Sequence, residues 1–253
     1  MKMTESQNYH PMPLSTYLSA LAEKYETKEF LVGDPSWFMH QVEGDANKEL
    51  LAFIASSLSY GSRKQFLPKI HNILEWSGGE VEKWLLSGSY EASIPDDSRC
   101  FYRLYSNHTM RTFLHALTQM VAVHGRMKHY VGPSTSLEAI EKITRWFAQH
   151  GSTGVIPKDA TSCCKRVCMF LRWMVRDGSP VDLGLWSDII DRRTLIIPMD
   201  THVLQEALRL GLLTSKTTSM NTAIRLTDKL RETFPDDPLK GDFALFGLGV
   251  DNG

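Results

Sequence analysis

The sequence has no stretch approaching the roughly 20 apolar residues that a membrane-crossing helix requires. No run of alternating apolar and polar residues is long enough for a sizeable strand; Cys100–Tyr105 and Thr194–Ile197 are the only short candidates. Cysteine is scarce, with Cys100, Cys163, Cys164 and Cys168 as the full set. Three of them crowd into one predicted helix, where adjacent or i,i+4 thiols rarely pair, so no disulfide framework is expected. A second Cys or His cluster at zinc-like spacing is missing, as are the C-terminal cysteines of an iron–sulfur site, so neither a metal nor another cofactor is expected. A basic surplus is missing too: the net charge is −1, which by itself gives no support to nucleic-acid binding. The first dozen residues are polar, carry Pro11 and Pro13, and predict no export signal. Unpaired thiols and the lack of a leader point to a reducing cytoplasm.

What is present is helical rhythm. Leu50, Leu51, Ile54 and Leu58 recur at i, i+3 and i+4 spacing, and Phe66 to Leu74 and Val81 to Leu85 repeat it. Further helices are predicted at about 108–124, 136–149, 162–176, 183–192, 200–212, 219–233 and 238–248. Ser134–Thr135–Ser136 supplies a cap before one of them. Loops fall at Ser77–Gly78–Gly79, Pro95–Asp96–Asp97, Gly132–Pro133 and Gly151 to Pro157. The expectation is an all-α, two-lobed fold: residues 45–165 form a central helical lobe, and residues 1–44 plus 166–253 form the second.

Two segments carry candidate chemistry. In Ser162-Cys-Cys-Lys165-Arg166, Ser162 is the expected N-cap, which puts Lys165 at the third helical position. An ammonium there opposes the helix dipole, and Arg166 beside it pushes the same way. Both effects favour the neutral amine that a nucleophile needs. The second segment, Ile196-Ile-Pro-Met-Asp200-Thr-His202-Val203, starts another helix with Asp200 as its cap. Taken singly, an exposed lysine and a capping aspartate are ordinary.

Together they carry a likeness. A lysine-bearing helix, a stretch of about thirty residues and then Met199-Asp-Thr-His-Val203 resembles the helix-hairpin-helix DNA glycosylase superfamily. Glu49-Leu-Leu-Ala-Phe-Ile-Ala-Ser-Ser-Leu-Ser-Tyr-Gly61 is similar to the helix whose end faces the damaged base there. Asp242-Phe-Ala-Leu-Phe-Gly-Leu-Gly249 occupies the place of a closing helix. More narrowly, Ser59 to Phe66, Phe101-Tyr-Arg103, Cys164-Lys-Arg166 with Met169 to Arg176, Val181 to Trp186 and Pro198 to Val203 resemble an uncharacterised bacterial family, domain of unknown function 2400. The glycosylase likeness implies a monomer that takes damaged double-stranded DNA and flips a nucleotide into a pocket between lobes. It implies that Lys165 attacks the sugar C1′ and that Asp200 takes a proton or steadies the sugar cation, with a Schiff base opening the way to strand cleavage. Tyr60, Trp173 and Trp186 are candidates to stack on the base, and Arg63, Arg166 and His202 to contact the substrate.

Three departures stand against it. The hairpin glycines are replaced by Lys158-Asp-Ala-Thr-Ser-Cys-Cys164, the insert Asp177 to Arg193 lengthens the interval to Asp200, and no iron–sulfur cysteines exist. The lost glycines favour a second reading, nucleic-acid binding without chemistry. A small-molecule or protein-interaction role is the third, and a closed or acidic cleft around Lys165 would mark it. Three basic groups (Arg63, Lys64 and Lys69; Arg126, Lys128 and His129; Lys165, Arg166, Arg172 and Arg176) would track a phosphate backbone if they shared one face.

Overall fold

The chain described by a computed structural model, residues 12–251, opens with α1 (Leu14–Tyr25) and two 3-10 turns, Lys28–Leu31 and Pro35–His40. In α2 (Asp45–Leu58) every residue from Glu49 to Leu58 is buried. A helix that is apolar on most sides has to lie inside the molecule. Around it gather α3 (Arg63–Ser77) and α4 (Val81–Leu86). The one-turn α5 (Tyr90–Ser93) leads into an antiparallel hairpin, β1 (Cys100–Tyr102) and β2 (Tyr105–Ser106), the one sheet among the described residues. Next come α6 (Asn107–His124), α7 (Met127–Val131) and α8 (Ser136–Gln149). The predicted cap of α8 is a reciprocal capping box between Thr135 and Glu138. α9 (Lys165–Val175), α10 (Thr201–Arg209), α11 (Met220–Arg231) and α12 (Lys240–Asp251) complete the chain. The fold is all-α in class. No helix among the described residues is long and apolar enough to cross a membrane.

α9 packs between α2 and α8, while α12 lies against both α1 and α10. The α1–α12 contact is close: a Cβ at Gly247 would stand 2.2 Å from the Tyr25 ring. One continuous apolar cluster runs from Leu18 to Leu248.

Three expectations fail for local reasons. α9 starts at Lys165 and not at Cys163, because Cys164 adopts a left-handed conformation (φ 42°, ψ 36°) and the Ser162 hydroxyl meets the Cys164 thiol at 3.5 Å. Residues 183–192 form turns in place of a helix. The amides of Leu183, Gly184 and Trp186 cap the carbonyls of Trp173 and Met174 at the end of α9, so they are spent outside any local ladder. Thr194–Ile197 forms no strand; it leaves a 3-10 turn, Arg192–Thr194, in extended chain without a partner strand.

Glu49 is the polar anchor of the interior. It is fully buried, yet it accepts from Arg126 Nε at 3.2 Å, the Met127 amide at 3.0 Å, the Lys128 amide at 3.3 Å and Trp186 Nε1 at 2.8 Å. A carboxylate at the start of α7 satisfies amides that have no intrahelical partner. It also fastens the insert that carries Trp186 to α2. Glu49→Ala should therefore cost about 3–5 kcal/mol, since it breaks the ion pair with Arg126 and takes the acceptor from two helix-start amides and the buried Trp186 indole N–H. Urea unfolding measures it; a loss below about 1 kcal/mol would show that water replaces the carboxylate.

Candidate active site

Lys165 and Asp200 begin different helices, and the fold brings those beginnings together. Lys165 Nζ donates to Asp200 Oδ2 at 2.9 Å. The side chains keep 32% and 18% of their surface exposed, so the pair is reachable from solvent. Asp200 serves two partners: its other oxygen caps α10 by accepting from the Val203 amide at 2.9 Å. Burial raises the Asp200 pKa, but the Lys165 ammonium, the Val203 amide and nearby His202 outweigh it and leave the carboxyl below its ordinary value.

The pair forms one wall of a cleft of about 370 Å³. Phe30, Tyr60, Phe66 and Phe246 give it aromatic sides. Arg63, Arg172, Asp34, Asp242 and His202 add polar groups. With all three carboxyls ionised the three fixed cations are matched, and with one of them protonated a single positive charge is left over, so the cleft is neither acidic nor strongly basic.

Tyr60 is a rim residue braced from outside. Its hydroxyl donates to the Tyr102 carbonyl at 3.3 Å and accepts from the Leu104 amide at 3.2 Å, while the Tyr102 hydroxyl donates to the Tyr60 carbonyl. Gly61, at φ +79°, lets the chain turn under the hairpin; a Cβ there would meet Arg103 Nη1 at 2.6 Å. Arg63 lines the cleft and reaches Asp34 at 3.4 Å. Arg166 does not line it. Its guanidinium donates to the Ser57 carbonyl at 2.8 Å and to the Tyr105 hydroxyl, and sits 5.5 Å from the Tyr60 ring centre. Trp173 and Trp186 are outside the cleft as well, fully buried in the core.

The three basic groups do not act as one stripe. Arg126 is bound to Glu49, and Lys128 pairs with Asp188. Arg172 and Arg176, 5% and 2% exposed, are enclosed by carboxylates. The Pro235–Pro238 turn supplies one of these, since Asp237 holds Arg176.

Asp34, Asp242, Phe30 and Phe246 are cleft residues that sequence reasoning passed over. Phe30 lies in a short 3-10 turn and Asp34 caps the next one, accepting from the Ser36 amide, neither with a periodic signal, and Asp242 looks like an ordinary first-turn acid of α12. Behind the lysine, burial raises the Cys164 thiol pKa and holds that of Cys168 well above its usual value. Among the described residues no group of three or more His, Cys, Asp or Glu side chains is arranged to hold a metal.

The Asp200 interactions stabilise the fold above the unfolded carboxylate pKa of about 3.9, and that stabilisation disappears as pH falls through the lower folded value. Asp200→Asn should flatten stability below about pH 4 while retaining the cap. Asp200→Ala should lose about 1 kcal/mol more at neutral pH through the missing cap. Urea midpoints across pH check both; an unchanged acid limb in Asp200→Asn contradicts the pairing.

No curated protein and no solved structure matches the chain. A family model does, and its match takes in both helix starts, the Tyr60 rim and Asp242. Over residues 34–251 the sequence fits the model described as protein of unknown function (DUF2400), and the chain belongs to that family.

Proposed function

We propose that this chain is a DNA N-glycosylase with lyase capacity, removing a damaged base with Lys165 as nucleophile and Asp200 as its carboxylate partner. The observation that carries the reading is the 2.9 Å contact between two helix starts on one open cleft. An amine and a carboxylate held this close serve a reaction that builds positive charge on a sugar carbon and then captures it. The aromatic sides suit a flat base. The near-balanced charge suits a ligand whose reacting portion is neutral, with its phosphates left outside.

In the resting cleft Lys165 is an ammonium paired with a carboxylate. As the glycosidic bond breaks, its electron pair leaves with the base and the base needs a proton. The ammonium has a proton to lose. Once neutral, Nζ donates its lone pair to C1′, and Asp200 remains an anion beside the sugar cation. The sugar ring then opens to a Schiff base, the species that permits strand cleavage.

The glycine-free segment Lys158 to Cys164 favours the alternative, a nucleic-acid-binding protein that releases no base. The glycines that would let backbone amides approach a phosphate are absent, and Asp159 adds a negative charge.

Borohydride trapping on a duplex with an abasic site or an oxidised base tests the chemistry. The expected result is a covalent adduct that Lys165→Gln abolishes and Asp200→Asn slows by about 100-fold or more. Salt-dependent binding with no adduct selects the alternative. An adduct undiminished in Lys165→Gln rejects Lys165 as nucleophile.

A further inference from the structure

One cleft carboxyl has no part in the scheme above. Asp242 is 3% exposed, in the first turn of α12, yet it lines the same cleft as Lys165 and Asp200. Arg172 Nη1 donates to it. Behind it runs a buried chain of charge. Arg172 Nε reaches Asp182 at 3.2 Å, Asp182 meets Arg176, and Arg176 holds Asp237 and Glu26, each at 2.7 Å.

Two guanidiniums thus serve four carboxyls. Asp182 sits between both cations, and Glu26 and Asp237 keep 11% and 12% of their surface in water. Asp242 has one guanidinium, shared with Asp182, and almost no water. Its other neighbours do not make up the deficit. Asp200 faces it from α10 and is itself matched by Lys165, with His202 on the same turn. Asp34, near Arg172, competes for that cation and is met by Arg63. Cys168 offers only a thiol. The first-turn position in α12 favours the anion, though only modestly. A surplus of negative charge in a dry place is relieved by a proton, and Asp242 is where that proton costs least. Burial first, then the Asp200 and Asp182 charges, push its pKa up to about 6, against the pull of Arg172.

We propose that Asp242 is the proton-carrying carboxyl of the cleft, the acid that protonates the departing base while Asp200 stays ionised. This rests on the glycosylase reading. The Asp242 proton passes to the base as the base takes the electron pair of the broken C1′–N bond. The Asp242 carboxylate then accepts a proton from the Lys165 ammonium, and neutral Nζ bonds to C1′. Asp242 ends as it began; the net exchange is the base for the amine at C1′, with the lysine proton delivered to the base.

Carboxyl-carbon NMR of the full chain, labelled at aspartate and titrated from about pH 4 to 8, tests the assignment. One aspartate should titrate near 6, be absent from Asp242→Asn, and move lower in Asp200→Asn, where a negative neighbour is gone. Should Asp242→Asn fail to fold, the Asp200→Asn shift identifies the signal. If every aspartate titrates below about pH 5, the proposal is overturned, whatever borohydride trapping says of Lys165. On a duplex carrying uracil or 8-oxoguanine, single-turnover base release should fall about tenfold per pH unit above the midpoint, with that slope lost in Asp242→Asn. A slope retained in folded Asp242→Asn also overturns it.

Discussion

The buried chain of arginines and carboxyls along the far half of α9 is the constraint on which the rest depends. Arg172, in the last turn of α9, and Arg176, just past its end, are enclosed by protein, and each needs a carboxylate to be tolerable there. The partners come from scattered places: Glu26 after α1, Asp182 in the insert, Asp237 before α12 and Asp242 within it. Swapping such pairs for apolar residues can be neutral or better for stability, but removing one partner typically costs about 3–5 kcal/mol. The chain therefore acts as a register. It admits one placement of α9 relative to α1 and α12, and a helix fixed over its last turns has its first turn, with Lys165, fixed as well.

Opposite that register, Glu49 secures the near side. Because one carboxylate holds α7, the insert and α2 together, the lengthened interval between Lys165 and Asp200 does not loosen the contact between them. The insert folds back on the C-terminal end of α9, where its amides satisfy open carbonyls. Extra chain length is absorbed at the end of the helix remote from the cleft.

The cleft's two leading residues stood out in the sequence through the family likeness that joins them, and of the two helix starts only the one at Asp200 was legible from its own residues. Helix starts announce themselves through apolar rhythm and a capping aspartate, as Asp200 does. Periodicity also placed α2, α6, α8, α11 and α12 well. It failed where tertiary contacts decide the backbone. The insert residues 183–192 have helical spacing but spend their amides on α9. Arg172 and Arg176 read as exposed basic charge, since no pattern reveals that four carboxyls from distant segments converge on them. Trp173 and Trp186 were plausible stacking residues by type, and only packing shows that they are core. Asp34 and Asp242 stayed invisible for the same reason: what distinguishes them is company, not spacing.

The left-handed turn at Cys164 delivers Lys165 to the cleft as the first residue of its helix while the neighbouring sulfur goes inward. Sulfur is the better nucleophile of the two elements when ionised, so its placement governs selectivity. With the Cys164 and Cys168 thiols held in the protonated form, neither supplies a thiolate to compete. An electrophilic carbon entering this cleft therefore meets the Lys165 nitrogen rather than either of these two sulfurs.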